Sequence, residues 1–330
     1  MSNEKKDVRD LIEICRGHKV YIQTHNIPDP DAIGAAYGLQ YIMEKFGLES
    51  TITYDGTIDK LSSSKMLDLF NITMYADQDI KDMQEEDYII CIDSQKNAGN
   101  ITDLKGDEIA AIDHHPTTKK NSDIDYLYKD VRIVGACCSI IADYLIDLDF
   151  EPSADVATAL VYGIKMDTAR FSRGVTDVDI RAYAFLNKYI SAEKLKKMER
   201  NNLQFSDLKA YGNAIENIEV YGYFGISHIT FACPDTMVSI IADFILSLVE
   251  IEVAVVYCER PDGMKFSVRS EREDVNSGIL VAKALEGIGT GGGHMAMAGG
   301  MVPAENYHLL GDFKDNAITE RFVRELGMEF

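Results

Sequence analysis

Four short runs rich in β-branched residues, separated by stretches of helical periodicity, constrain this chain more than any other feature. KVYIQTH (19–25), STITY (50–54), YIICID (88–93) and EIAAID (108–113) are largely apolar rather than strictly alternating. Such runs belong to parallel strands covered on both faces. Helical spacing fills the gaps. It covers residues 7–16, which stop at Gly17, and residues 31–47, which close on Gly47. It returns at 136–148, 155–167 and 177–190, the last opened by Thr176 and Asp179 as a variant capping box. Strands alternating with helices predict an α/β domain with a doubly wound, mainly parallel sheet over residues 1–190.

From residue 191 the pattern changes. Residues 191–215 form a charged helical stretch, read as a helical linker. Residues 216–330 then offer YGYFGISHITF, an apolar helix at 235–249, strands at 252–259 and 264–270, and a helix near 277–287. A glycine run, GTGGGHMAMAGG, precedes a final strand and a terminal helix. This predicts a smaller α/β domain, consistent with 330 residues being roughly two domains of chain.

Composition narrows the function classes. The net charge of −21 repels phosphate backbones over the whole surface, which argues against tight binding of long duplex nucleic acid. It leaves room for a small phosphorylated substrate held by local metal ions. No apolar run approaches the roughly eighteen residues of a membrane helix, and the first residues carry no apolar signal segment, so a cytoplasmic location is expected. Six cysteines show no CxxC and no zinc-ligand spacing, and read as reduced core residues.

The histidines and aspartates gather at strand ends. His25 opens HNIPDPD, with Asp29 and Asp31 following; Asp93 ends YIICID; Asp113, His114 and His115 end EIAAIDHH. Open α/β sheets place ligands at the carboxyl ends of their strands, so distant residues meet at one edge. Any single Asp there is an ordinary cap or turn residue. Three strand ends delivering acid, imidazole or both point instead to a site. Carboxylates and imidazoles without thiolate suit Mn2+ or Mg2+ rather than a closed zinc site. The crowded carboxylates would repel one another unless cations neutralised them. The expected chemistry is metal-dependent phosphate processing.

HNIPDPDAIG, CIDS, AIDHHP and GIKMDTARF, in this order, resemble the four motifs of the DHH phosphoesterase superfamily. GGGHMAMAGG resembles the glycine-rich motif of its associated C-terminal domain. The layout is similar to the short branch of oligoribonucleases, pAp phosphatases and cyclic-dinucleotide phosphodiesterases. That resemblance implies two Mn2+ ions, with Mg2+ or Co2+ as substitutes, and an active site in the interdomain cleft. His25 and Asp29 would hold the first ion. Asp31, His114 and Asp167 would hold the second, and Asp93 would bridge the two. His115 would face the substrate phosphate, and Asp113 would orient an imidazole through its other ring nitrogen. Arg269 matches the family's basic substrate-binding position. Gly291, Gly292, Gly293 and His294 would bring backbone N–H groups and an imidazole to a phosphate. Apart from the resemblance, the glycine run reads equally as a permissive loop. Pro30 between the first two aspartates and Ala35 after Gly34 depart from the family pattern without removing a ligand.

The implied activity is a metal-dependent phosphodiesterase or phosphatase that attacks phosphorus with hydroxide activated by two metals. Its substrates would be short oligoribonucleotides, pAp or both, with cyclic di-AMP or pApA as the alternative. A non-catalytic nucleotide sensor is the rival from another class. The resemblance also implies a homodimer. The family's single-strand exonucleases are disfavoured, because no further nucleic-acid-binding domain and no basic groove are evident in the sequence.

Overall fold

The computed structural model describes residues 6–58, 61–119, 121–200, 204–205 and 207–329. The chain divides into two compact units, Met1–Asn202 and Leu203–Phe330.

The first unit is built on six parallel strands: β1 (Val20–Gln23), β2 (Ser50–Tyr54), β3 (Tyr75–Ala76), β4 (Tyr88–Ile92), β5 (Asp107–Asp113) and β6 (Tyr128–Val131). Their order is β3-β2-β1-β4-β5-β6, so the winding reverses between β1 and β4. The crevice at such a reversal is where open α/β sheets bind ligands. Alternate residues serve opposite faces. Val20, Ile22, Ile90, Ile92, Ala110 and Ile112 enter one core, while Tyr21, Ile89, Cys91 and Ala111 enter another.

The two faces are covered differently. The larger core is roofed by helices: α1 (Val8–Cys15), α2 (Pro30–Lys45), α3 (Leu61–Phe70), α4 (Cys137–Leu148), α5 (Ala154–Asp167), α6 (Asp177–Leu186) and α7 (Ala192–Glu199). The opposite face meets Met83, Leu104 and Tyr126, which come from irregular segments between strands. The sheet is thus buried on both sides, as its apolar strands require, although loops serve on one side where a doubly wound sheet usually carries helices. The sequence reading of the start of α6 holds, with the Thr176–Asp179 capping box present, but the helix ends at Leu186 rather than at residue 190. It did not anticipate α3, β3 or β6.

Small residues set how closely the helices approach. A Cβ on Gly34 of α2 would lie 2.8 Å from Cys138 Sγ, and one on Gly163 of α5 would lie 2.5 Å from the same atom. Helices α2, α4 and α5 therefore meet around one thiol. All six cysteines are buried and unbridged.

The second unit holds α8 (Asp207–Glu216), β7 (Ile218–Tyr221), β8 (Phe224–Ile229), α9 (Asp235–Leu246), β9 (Val253–Arg260), β10 (Gly263–Ser270), α10 (Ser277–Ala284), β11 (Thr290–Gly293), β12 (Met297–Pro303) and α11 (Lys314–Glu325). The sheet order is β11-β12-β10-β9-β8-β7, with β8 and β9 its parallel pair. Residues Ala254, Val256 and Cys258 of β9 pack with α8 and α9, while Val253, Val255 and Tyr257 pack with α10 and α11. The stretch 191–215 contains two helices. Leu195 and Met198 of α7 join the core of the first unit, and Ala210 and Ala214 of α8 join a core of the second. Among the described residues no helix is long and apolar enough to cross a membrane.

Candidate metal centre

The first acidic motif is shaped by helix-start chemistry. Asp29 N-caps α2, its Oδ1 accepting the N–H groups of Asp31 at 3.0 Å and Ala32 at 3.2 Å. Pro30 occupies the first helical turn, where its missing N–H costs nothing. Asp31, almost fully buried, accepts the backbone N–H of Cys137 at 2.6 Å and of Cys138 at 2.9 Å. Helix α4 has Ala136 at its N-cap, with no capping side chain of its own. Asp31 therefore caps it from another helix, and the positive end of α4 fixes that carboxylate's orientation.

Strands β4 and β5 deliver the next groups. Asp93 follows β4 directly and adopts φ +56°, a left-handed conformation uncommon for a residue with a Cβ. Its N–H bonds to the carbonyl of Ile112, which ties the turn to the neighbouring strand. Asp113 ends β5, followed by His114 and His115. Asp167 is the last residue of α5.

Six of the residues fall into two groups on either side of Asp93, and Asp93, His114 and His115 form a third close cluster. His25 Nε2 lies 3.9 Å from Asp29 Oδ1 and 3.7 Å from Asp93 Oδ2. His114 Nε2 lies 3.2 Å from Asp167 Oδ2, 3.3 Å from Asp93 Oδ1 and 3.9 Å from Asp31 Oδ2. In each of the triplets His25–Asp29–Asp93 and Asp31–His114–Asp167, one ligand atom per residue lies within 4.8 Å of the others. Asp93 thus turns one oxygen to each group.

The electrostatics around His114 favour added positive charge. His114 Nδ1 is 3.1 Å from the carbonyl oxygen of Val134, an acceptor only, so that nitrogen carries the hydrogen. A neutral His114 would then aim its Nε2 lone pair at three carboxylates. Asp93 Oδ1 is buried and, among the described residues, has no hydrogen-bond partner. In the bare chain, burial opposes charging His114, yet Asp93, Asp31 and Asp167 outweigh it and hold the imidazole up at about 11. Burial, with repulsion from Asp167, pushes Asp31 up to about 6. Burial and repulsion from Asp31 raise Asp93 well above the usual carboxylate range. Burial raises Asp167 as well. Oxygen and imidazole donors in this number, crowded and short of protons to share, fit divalent cations of the Mn2+ or Mg2+ kind.

His115 is arranged differently. Its Nδ1 is 2.8 Å from Asp113 Oδ1, while the ring is half exposed, leaving Nε2 directed away from the dyad. Hydrogen bonding to Asp113 raises the imidazole's pKa. Burial works against ionising Asp113, but His115 and Gln95 together hold its carboxyl below the usual range. Gln95, almost fully buried, donates to Asp113 Oδ2 at 2.7 Å and to the His115 carbonyl at 3.1 Å, and accepts from Thr117 at 2.9 Å. Sequence reasoning missed Gln95 and the backbone groups of Val134, Cys137 and Cys138. The position of Gln95 two residues beyond a strand-terminal Asp was the available signal.

Beyond Asp167 the chain passes through three successive left-handed residues, Ala169, Arg170 and Phe171. Thr168 Oγ1 holds this turn by accepting the N–H of Phe171, and Arg173 donates to the Asp167 carbonyl at 3.0 Å.

In the second unit, Arg269, Gly291, Gly292, Gly293 and His294 line one groove of about 730 Å³. The glycine run is strand β11 rather than a loop. Gly291 pairs with Gly300, Gly292 with Gly299 and Gly293 with Ala298, and His294 N–H bonds to the Met297 carbonyl to close a tight turn. An edge strand leaves alternate N–H groups outside the ladder. Arg269 donates from Nε to Asp243 at 2.5 Å and from a terminal nitrogen to Ser267 at 2.9 Å, so its guanidinium is held in place.

The motif order and geometry have a counterpart in known families. Residues 19–164 match the DHH family, N-terminal domain, and residues 223–320 match the DHHA1 domain. The chain belongs to the DHH family. Its DHH domain contains His25, Asp29, Asp31, Asp93 and His114, and Asp167 lies three residues beyond the match. An uncharacterized protein of Methanocaldococcus jannaschii is 32% identical over 316 residues, which are 93% of this chain and 64% of that protein. The chain therefore spans less than two thirds of that relative's length. A probable manganese-dependent inorganic pyrophosphatase of Streptococcus thermophilus is 29% identical over 153 residues, 46% of this chain and 48% of that protein. The solved structure of an exopolyphosphatase-related protein from Bacteroides fragilis superposes with a TM-score of 0.71 at 18% identity, covering 96% of both chains. That likeness establishes a shared fold for the DHH and DHHA1 domains.

Proposed function

We propose that this DHH-family chain is a metal-dependent hydrolase of phosphoester bonds in short oligoribonucleotides, pAp or both. The observation that carries this reading is His114. Its tautomer is fixed by Val134 and its Nε2 is surrounded by Asp31, Asp93 and Asp167, an arrangement that calls for a cation. His25, Asp29 and Asp93 would hold one Mn2+; Asp31, His114 and Asp167 would hold a second, with Asp93 shared between them. The ions when bound supply Lewis acidity and an activated water. His115 holds a proton at Nε2 for a phosphoryl oxygen, and Asp113 keeps the ring oriented by accepting from Nδ1. Arg269 and Gly291–His294 hold the nucleotide in the groove of the second unit. The net charge of −21 favours short substrates over long strands.

A second reading, inorganic pyrophosphate as substrate, draws support from the Streptococcus thermophilus relative, whose similarity covers 46% of this chain. It would leave the groove of the second unit without a ligand.

The test is turnover by metal-stripped chain after Mn2+ readdition. The panel contains short RNA, pAp, pApA, cyclic di-AMP and pyrophosphate, with Asp93→Ala as control. The expected result is hydrolysis of short RNA or pAp that Asp93→Ala lacks. Preference for cyclic di-AMP, pApA or pyrophosphate would replace the substrate assignment. Tight nucleotide binding with no turnover would replace the enzyme reading with a sensor.

A further inference from the structure

The segment that joins β6 to α4 reaches every residue of the group Asp31–His114–Asp167, directly or through a neighbour. The Val134 carbonyl lies 3.1 Å from His114 Nδ1. The N–H groups of Cys137 and Cys138, where α4 begins, go to the Asp31 carboxylate. Between these contacts lies Gly135, buried against Thr168, the chain neighbour of Asp167. A Cβ on Gly135 would lie 2.6 Å from Thr168 Cγ2 and 2.8 Å from Asp179 Oδ2. Glycine is what lets these three segments approach so closely.

One side chain from outside the group holds this segment. The Asp179 carboxylate, fully buried at the third position of α6, accepts the Gly135 N–H at 3.1 Å on Oδ1 and 2.9 Å on Oδ2. Oδ2 also accepts the Thr176 N–H and the Thr176 hydroxyl, each at 2.7 Å. The Thr176 contacts serve the start of α6. The Gly135 contact spans 44 residues and contributes nothing to that helix, so the capping box has a second use. The positive end of α6 and these donors together compensate the buried charge and fix the carboxylate in place. None of these contacts involves His25 or Asp29.

We infer that Asp179 is a positioning residue for the Asp31–His114–Asp167 cation site. Through Gly135 it keeps the Val134 carbonyl where that group orients His114, and the start of α4 where it meets Asp31. This rests on the metal-dependent reading of the site and deepens it, because it separates the two ions: the second depends on Asp179 and the first does not.

The experiment compares wild type, Asp179→Ala and Thr176→Val as full chains stripped with EDTA. Thr176→Val removes a hydroxyl of the capping box but leaves the Gly135 contact, so it reports what a weakened helix start does alone. Mn2+ affinity is read by titration calorimetry. Exchange of the His114 Nδ1 proton with water is read in EDTA by nuclear magnetic resonance. In Asp179→Ala one Mn2+ should bind about 10- to 100-fold more weakly, the range for losing a group that orients a ligand, with the other near wild type. The Nδ1 proton should exchange about tenfold faster, as for loss of one supporting hydrogen bond. Thr176→Val should match wild type in both readings. Asp179→Asn, with one acceptor oxygen for the same donors, should show the selective pattern more weakly, and it stands in if Asp179→Ala does not fold. Wild-type exchange of the Nδ1 proton in Asp179→Ala would overturn the inference, as would equal weakening of both ions or the same losses in Thr176→Val. If wild type binds no Mn2+ the metal reading falls, while Asp179-dependent protection of the Nδ1 proton would still sustain the positioning role.

Discussion

The Nδ1 of His114 lies 3.1 Å from the carbonyl oxygen of Val134, and this one contact settles which imidazole nitrogen faces the carboxylates. Without a cation, that nitrogen must carry a proton, and the stability of the chain inherits the consequence.

In the metal-free chain both His114, held at about 11, and Asp31, held at about 6, sit above their ordinary values of 6.5 and 3.8. Groups raised by folding stabilise below their unfolded pKa and lose that contribution as pH climbs through the folded one. Asp31 therefore costs stability between about pH 4 and 6, and His114 from about pH 6.5 upward, each at up to about 1.4 kcal/mol per pH unit. Denaturant unfolding in EDTA at pH 5, 6.5 and 8 should show falling stability. Saturating Mn2+ should weaken or reverse that trend, because ligands bind metal in their deprotonated forms. The same slope with and without Mn2+ would contradict the account.

Gln95 tests the His115–Asp113 dyad rather than the proposed metal ligands. It touches Asp113 and the His115 backbone. Gln95→Leu should lower kcat about 10- to 100-fold, as loss of an orienting partner does elsewhere. KM and Mn2+ affinity should stay near wild type. A matching loss of Mn2+ affinity would place Gln95 in support of the metal site as a whole.

Two glycine substitutions should diverge. Gly163→Ala drives a Cβ to 2.5 Å from Cys138 Sγ and 3.0 Å from the Pro30 carbonyl, and overpacking of this sort costs about 1–3 kcal/mol. Gly292→Ala meets no atom of the described residues within 4 Å and should leave stability unchanged or slightly raised. Chemical denaturation of both variants checks the contrast.

Much of this site was legible because its chemistry sits at strand ends. His25, Asp93 and the Asp113–His115 run each follow a β-branched segment, so parallel pairing alone brings them to one edge. Asp167 was different, since a carboxylate closing an apolar helix has no periodic signal and was reached through family resemblance. What escaped the sequence was held by long-range backbone contacts. The capping of α4 by Asp31 spans more than a hundred residues, and nothing in CCSIIADYL announces it. The glycine run read as a loop because glycine has low strand propensity, yet the ladder with β12 overrides that preference. The loop-covered face of the first sheet was equally hidden, since an apolar strand declares that it is buried without declaring by what.

In the proposed function Asp93 would be shared between two cation sites through one buried carboxylate, carried on a left-handed backbone. Its most direct test is Mn2+ binding by EDTA-stripped chain, counted by electron paramagnetic resonance at equilibrium, in wild type and Asp93→Ala. Two Mn2+ per wild-type chain are expected, with loss or strong weakening of both in the variant and folding in EDTA intact. Two Mn2+ bound by Asp93→Ala at wild-type affinity, or none bound by wild type, would contradict it.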